Sequence, residues 1–172
     1  ARAADEISRT AGRPLTNADG DVLTPEQPDH SGVAHFVATA STGRPLRAVL
    51  VGLVPEISLS SALRATAGTY IEVVDTLSLE DRRSEQDMLN AVALNTPDLV
   101  LIAGGTEGGA REPLMALVRI VEQAVALSDR SRRPVIVYAG NSALVPQIRA
   151  AFDGQTPLFI ADNVRPTLHD ED

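Results

Sequence analysis

Five short apolar runs recur along the second part of the chain, and each is rich in β-branched residues. Few polar residues interrupt them, which is typical of strands that are buried on both faces of a parallel sheet. The runs cover residues 48–53, 70–74, 99–103, 135–139 and 158–161. We therefore predict five parallel strands.

The segments between these runs carry apolar residues at three- and four-residue steps, which indicates helices with one buried stripe. We predict helices over residues 58–66, 84–94, 112–128 and 142–152. Ser58 and Ser84 are in N-cap positions, and Asp87 would complete a capping box with Ser84. Pro113 and Pro146 fall in first turns, where a missing N–H is tolerated.

Strict alternation of strands and helices favours right-handed crossovers and a doubly wound α/β fold. We predict a five-stranded, mostly parallel sheet of order 2-1-3-4-5 with helices on both faces, as in flavodoxin-like and Rossmann-like proteins. Ligands of such sheets bind at the carboxyl ends of strands, where the strand order reverses. In this order the reversal lies between the first and third strands.

The N-terminal stretch is less regular because glycine and proline are frequent in it. We predict an appendage over residues 1–45, with a possible hairpin turn at Asp19 and Gly20 and an edge strand over 36–39. The α/β domain would then occupy residues 46–168, followed by an acidic tail over 169–172. We expect the chain to be one part of a larger protein.

Charge and composition exclude several kinds of chemistry. The net charge of −8 disfavours nucleic acid or an anionic membrane as the main partner. Cysteine is absent, which excludes thiolate metal sites and a cysteine nucleophile, and lysine is absent, which excludes a Schiff base or a P-loop lysine. No apolar run approaches the length of a membrane span, and we expect a cytoplasmic protein.

A glycine-rich segment between the third strand and the longest helix is the main candidate site, and we call it the glycine loop. It consists of Gly104, Gly105, Thr106, Glu107, Gly108 and Gly109. Its glycines allow sharp turns, and the helix N-terminus that follows suits an anion. The spacing matches neither the P-loop nor the dinucleotide fingerprint. The loop is therefore either a small-molecule site or a tight connection that contacts a neighbouring domain.

Four polar residues follow other strands and should lie at the same sheet edge. They are Glu56, Asn141, Asp162 and Asn163. Each alone is explained as a cap or a turn residue, but together with the glycine loop they could line a binding crevice. The three histidines share no metal-ligand spacing, and no serine lies in a nucleophile motif. We therefore predict no catalytic residue and no metal site.

The sequence LIAGGTEGG at residues 101–109 resembles the central signature of the MutL (GlmL) family. Three further segments resemble the same family in the same order: LRAVLVGLVPE at 46–56, PVIVYAGN at 134–141 and ADNVRPTL at 161–168. The resemblance covers about residues 38–168. These proteins accompany adenosylcobalamin-dependent glutamate mutase and are unrelated to the mismatch-repair protein of the same name.

The resemblance implies a role in supporting or reactivating a cobalamin-dependent mutase. The family resembles actin-like ATPases, but the expected Asp-x-Gly-Ser/Thr motif is absent here, as is the cobalamin motif Asp-x-His-x-x-Gly. The stretch before the first strand, residues 40–45, also departs from the family's Ser/Ala/Gly-rich pattern. The resemblance thus implies a non-catalytic internal domain without a cofactor of its own. Its partners would be the ATPase halves, which could hold a nucleotide, and a mutase.

Two other functions remain open from the sequence. The glycine loop could make the domain a module that binds a nucleotide or another anion. An independent enzyme has the least support, because no general acid–base pair and no nucleophile can be placed.

Overall fold

The computed structural model describes residues 2–18, 21–37 and 43–167. It divides the chain into two compact units, Ala1–Gly43 and Arg44–Asp172. No helix among the described residues is long and apolar enough to cross a membrane.

The first unit contains a helix that the sequence analysis did not predict, α1 (Arg2–Ala11). No proline or glycine interrupts this segment, and Gly12 ends it with a positive φ of 65°. Thr16 and Val22 then form an antiparallel bridge. The predicted turn between them, at residues 19–20, lies outside the described residues.

The edge strand predicted over residues 36–39 is not supported where the structure describes it. Phe36 and Val37 belong to no strand, and both side chains are exposed. The other two residues of the prediction lie outside the described part of the chain. β-branched and aromatic character alone therefore misled the prediction, because a short strand also needs a partner strand to pair with.

The second unit confirms the predicted α/β fold. Its strands are β1 (Leu46–Val51), β2 (Ile71–Leu77), β3 (Leu99–Gly104), β4 (Val135–Gly140) and β5 (Leu158–Ile160). They form one sheet of order β2-β1-β3-β4-β5, and every neighbouring pair is parallel. Each strand begins or ends within three residues of its predicted position, because the apolar runs mark the buried part of each strand.

Four helices and three short turns connect the strands. The helices are α2 (Ser60–Thr66), α3 (Glu85–Ala93), α4 (Glu112–Leu127) and α5 (Val145–Phe152). A π-helical turn, Pro55–Leu59, precedes α2, and 3-10 turns at Arg130–Arg132 and Ser142–Leu144 precede β4 and α5. The predicted helix bounds agree within three residues, and the largest differences are at the starts of α2 and α5, where a π-helical or 3-10 turn precedes the helix.

Two apolar layers hold the sheet and its helices together. Helices α3, α4 and α5 pack on one face, where residues such as Leu114, Val118 and Ile148 are fully buried against the strands. On the other face Leu59 and Ala62 pack against Leu50, Leu101 and Ala103. The apolar stripe predicted on α4 from Leu114 to Leu127 is the buried side of that helix, as its spacing requires, except that Leu127 at the helix end is 72% exposed.

One predicted helix cap is wrong and one is right. Ser58 does not cap a helix. It lies within the π-helical turn, and its hydroxyl oxygen accepts hydrogen bonds from the backbone N–H groups of Leu53 (3.1 Å) and Val54 (3.3 Å). Ser84 does cap α3, since its side chain accepts a bond from the Asp87 N–H at 3.1 Å. The Asp87 carboxylate accepts a hydrogen bond from the Ser84 hydroxyl at 2.7 Å. In a full capping box it would accept from the Ser84 backbone N–H instead.

The register of the sheet brings the candidate residues to one edge. Gly104, the last residue of β3, pairs with Gly140, the last residue of β4. Tyr138 of β4 pairs with Ile160, which ends β5. The glycine loop, Asn141 and residues 161–163 therefore all leave the sheet at its carboxyl edge.

Candidate functional site at the carboxyl edge of the sheet

The glycine loop needs glycine at three positions because of its backbone shape. Gly104, Gly105 and Gly108 have φ angles of 128°, 72° and 73°, which L side chains rarely adopt. At Gly104 a Cβ would also lie 3.2 Å from the Ser58 hydroxyl and 3.3 Å from the Leu53 nitrogen. The close approach that this glycine allows is thus to the turn after β1, within the same chain.

The Glu107 carboxylate sits at the centre of the site. It accepts bonds from the Ser142 backbone N–H at 3.1 and 3.2 Å, from the Asn163 side-chain amide at 2.8 Å, and from the Ser142 hydroxyl. These bonds, first those from the Ser142 hydroxyl and Asn163, hold the Glu107 pKa below its usual value. Ser142 starts the helical segment that leads into α5, so Glu107 occupies the position where a bound anion would sit.

Asn163 joins the glycine loop to the segment after β5. Besides Glu107, its side-chain amide donates to the Gly105 carbonyl at 3.0 Å. Its carbonyl oxygen accepts from the Arg165 N–H at 3.0 Å, which forms an Asx turn. The Glu107 N–H donates to the Pro166 carbonyl at 2.9 Å and adds a second link between the two segments.

Asn141 is the buried member of the site. Its side chain is fully inaccessible. The side-chain carbonyl accepts from the Ala143 N–H at 3.0 Å, and the amide donates to the Gly109 carbonyl at 3.4 Å. The buried Tyr138 hydroxyl donates to the Asn141 backbone carbonyl at 2.9 Å. Burial, with a smaller effect of the Glu107 charge, raises the Tyr138 pKa, so this hydroxyl stays protonated.

The structure brings together most, but not all, of the predicted site residues. Glu107, Asn141 and Asn163 all bond to the glycine loop or to its neighbours, as given above. Asp162, the residue before Asn163, is exposed. Glu56 is exposed in the turn after β1, and no described hydrogen bond links it to the glycine loop. Thr106 is half-buried and lies against Gly109, where a Cβ would be 2.6 Å from the Thr106 hydroxyl.

Three residues of this edge were missed by the sequence analysis: Ser58, Tyr138 and Ser142. Ser142 had a usable signal, since it is the first residue of a predicted helix, where backbone N–H groups are free to bind a carboxylate. Tyr138 and Ser58 had none, because their bonds go to backbone atoms three to five residues away and depend on a local backbone conformation that no sequence motif marks.

A cavity of about 410 Å³ borders this network on the side of β4 and β5. Its lining combines Glu107, Ser142, Asp162 and Asn163 with the apolar Val145, Ile160 and Pro166. It therefore lies away from the predicted crevice between β1 and β3, where Gly104 packs against the turn after β1. Among the described residues, no three His, Asp or Glu side chains lie close enough together to hold a metal ion.

Comparison with known proteins identifies the family. The family model described as MutL protein matches residues 6–172. The chain belongs to the MutL protein family. The resemblance seen in the four sequence segments is thereby confirmed, and the family match also includes most of the N-terminal stretch that lay outside those segments.

One curated relative of this MutL-family chain is Protein MutL from Clostridium tetanomorphum. It is 28% identical over 134 residues, which is 77% of this chain and 27% of the relative. The chain therefore spans about a quarter of the length of that relative. No solved structure matches the chain.

Proposed function

We propose that this MutL-family chain is a non-catalytic domain of an accessory protein that supports or reactivates an adenosylcobalamin-dependent mutase. It would act through contacts with a protein partner or with other domains of its own protein. The observation that carries this proposal is the bonding of Glu107. Its carboxylate accepts hydrogen bonds from Ser142 and Asn163, so the charged group of the glycine loop is already paired within the chain. The loop therefore presents a fixed surface rather than an open binding group.

The state of the titratable groups at this edge supports a contact surface rather than a reaction centre. Glu107 has a lowered pKa and stays ionised near neutral pH, so it is a poor general acid. Tyr138 is buried and its pKa is raised, so its hydroxyl is neither exposed nor ready to lose a proton. Glu107 and Tyr138 thus contribute to this network as fixed hydrogen-bonding groups.

A binding measurement with the mutase tests the proposal. Adenosylcobalamin-dependent glutamate mutase would be immobilised in its apo and cobalamin-loaded forms and titrated with this chain. We expect saturable binding that weakens about tenfold in a Glu107→Ala/Asn163→Ala double variant, a loss of about 1.4 kcal/mol. Glu80→Ala is the matched control, because Glu80 is exposed on the loop after β2 and should leave binding unchanged.

Two results would contradict this proposal. One is the absence of binding to either form of the mutase at about 100 μM, an affinity too weak for a specific complex. The other is equal weakening by the double variant and by the Glu80→Ala control, which would show that the network around Glu107 is not the contact.

A second candidate function is small-molecule binding, and the cavity beside Glu107 is the observation that favours it. Glu107 and Asp162 line this cavity, so a nucleotide or another anion would have to displace or neutralise carboxylates there. A thermal-shift screen with ATP, ADP, flavin mononucleotide and adenosylcobalamin tests it. A ligand at about 100 times its Kd adds about 2.7 kcal/mol to the free energy of unfolding.

The control for this screen is the Thr106→Val/Glu107→Ala variant. A shift that disappears in the variant supports a ligand site at the glycine loop. Absence of a shift with all four compounds rules out this second function for them and leaves the contact surface as the better explanation of the loop.

A further inference from the structure

The amino edge of the sheet, opposite the glycine loop, carries a second surface of unusual composition. Two cavities of about 350 and 260 Å³ lie there, and Thr96 and Arg132 line both of them. The larger also contacts Arg44 and Ser131, and the smaller contacts Leu94 and Leu127. We define the basal patch as the surface formed by Leu94, Thr96, Leu127, Arg130 and Arg132.

The apolar part of the basal patch consists of two leucines at helix ends. Leu94 follows α3 and is 77% exposed, and Leu127 ends α4 and is 72% exposed. Both line the smaller cavity, so they form one apolar site rather than two scattered contacts. Two large, exposed side chains beside a concavity are typical of a surface that a partner covers.

The charged part of the basal patch is positive on a negative protein. Arg130 and Arg132 are exposed, and their side chains form no hydrogen bond or ion pair with the described residues. Arg133 differs, since it donates to the carbonyls of Gln155 (3.0 Å) and Ser128 (3.3 Å). The whole chain carries a net charge of −8, so two unpaired guanidinium groups within one short 3-10 turn are a local reversal of charge.

The carboxylates nearest to the patch do not cancel this reversal. Asp98, in the larger cavity, is held by the Arg44 guanidinium in two bonds of 2.8 and 2.6 Å. These bonds, followed by one from the Arg47 N–H, lower the Asp98 pKa. Asp129 lines the smaller cavity and can balance one of the two free arginines. A positive charge therefore remains beside the exposed leucines.

Thr96 forms the shared wall of the two cavities in a strained conformation. Its φ of 42° lies in the left-handed region, which a β-branched residue rarely adopts. Strain of this kind is retained where the surrounding structure or a function requires it. Here it lies between the end of α3 and Pro97, at the wall that the two cavities share.

We propose that the basal patch docks an acidic segment of a protein partner that carries leucine or aromatic anchors. The anchors would enter the smaller cavity between Leu94 and Leu127, and carboxylates on either side would pair with Arg130 and Arg132. Inorganic phosphate satisfies only the arginines, so the exposed leucines favour a peptide over a small anion. This inference does not depend on the function proposed for the glycine loop, which lies at the opposite edge.

A peptide-display selection on the whole chain provides the probe. A random library of 12-residue peptides would be selected on the wild-type chain and counter-selected on an Arg130→Glu/Arg132→Glu variant. We expect the enriched peptides to be acidic and to contain leucine or aromatic residues at a helical or alternating spacing. The best peptide, labelled with a fluorophore, is then measured by fluorescence anisotropy.

Three variants locate the binding surface. We expect Arg130→Glu/Arg132→Glu and Leu94→Asn/Leu127→Asn each to weaken the peptide about tenfold or more. The matched control, Arg82→Glu/Arg119→Glu, makes the same change of net charge at exposed positions elsewhere and should change the affinity less than about twofold. Circular dichroism of each variant confirms that it is folded.

Several outcomes would overturn the inference. These are a selection without acidic enrichment, equal weakening by the control pair, and binding that survives loss of both leucines. A final arm adds inorganic phosphate and pyrophosphate at millimolar concentration. If these stabilise the wild type but not the arginine variant, and no peptide binds, the patch is a small-anion site and not a docking surface.

Discussion

At the scale of single residues, Glu107 shows how a charged side chain in a candidate binding loop can instead form hydrogen bonds that hold the fold together. Its carboxylate joins the glycine loop to Ser142 and Asn163, two residues that lie 35 and 56 positions further along the chain. Because the group is exposed, solvent screens each bond and the net stabilisation is modest.

The pH dependence of stability tests the role of Glu107. Its pKa is lower in the folded chain than in the unfolded chain, so its contribution is present above the unfolded value and is lost as pH falls through the folded value. We expect Glu107→Gln to flatten the loss of stability below about pH 5 relative to the wild type. Urea unfolding at several pH values measures this, and identical pH profiles for the two proteins would contradict the assignment.

Thr96 makes a second prediction at this scale. Asparagine tolerates the left-handed region better than a β-branched residue does, so Thr96→Asn should raise the free energy of unfolding by about 0.5 to 1 kcal/mol. Chemical denaturation measures the change. Destabilisation by Thr96→Asn would show that the threonine side chain itself is needed.

At the scale of elements, the ends of β3 and β4 approach so closely that a side chain cannot fit between them. A Cβ at Gly140 would lie 2.5 Å from the Gly104 carbonyl oxygen, which is backbone and cannot move away cheaply. We expect Gly140→Ala to destabilise the fold by about 1 to 3 kcal/mol. Gly43→Ala, where a Cβ meets nothing within 4 Å, is the control in the same thermal unfolding experiment.

Helix α4 supplies a matched pair of leucines for testing its buried stripe. Leu114 is fully buried and Leu127 is 72% exposed on the same helix. Leu114→Ala should cost about 2 to 5 kcal/mol, since it leaves a cavity in the core. Leu127→Ala should change stability by less than about 0.5 kcal/mol. Similar losses in both variants would show that the stripe is not buried as described.

At the scale of the whole molecule, the two compact units predict separable folding. Residues 44–172 contain the sheet, its helices and both apolar layers. We expect a fragment of these residues to unfold cooperatively, with a melting temperature within a few degrees of that of the whole chain. Calorimetry tests this, and a fragment that unfolds without a cooperative transition would show that residues 1–43 are required.

The two faces of the sheet are covered unequally by the described helices. Three helices pack on one face, while α2 is the described helix on the other, where Val137 is half-buried and Phe159 is 61% exposed. The apolar runs alone predicted full burial on both faces. They could not distinguish a strand that is covered from one that is only hydrophobic, because coverage depends on where the helices fall.

The sequence by itself determined the α/β class, the five strands, their order and the edge where the glycine loop lies. These follow from local patterns, since apolar periodicity, capping residues and crossover handedness act over short stretches of chain. It also carried the family resemblance. Helix α1 was missed because its segment is short and strongly polar, with Ile7 as its one large apolar residue, and because it precedes a stretch rich in glycine and proline.

The tertiary structure alone decided which groups meet. Ser142, Asn163 and Glu107 are far apart in the chain, so their bonding and the lowered Glu107 pKa appear only when three strand ends lie side by side. The basal patch likewise unites the ends of α3 and α4 with the turn before β4. Contacts between distant segments depend on packing geometry, and no local pattern encodes them.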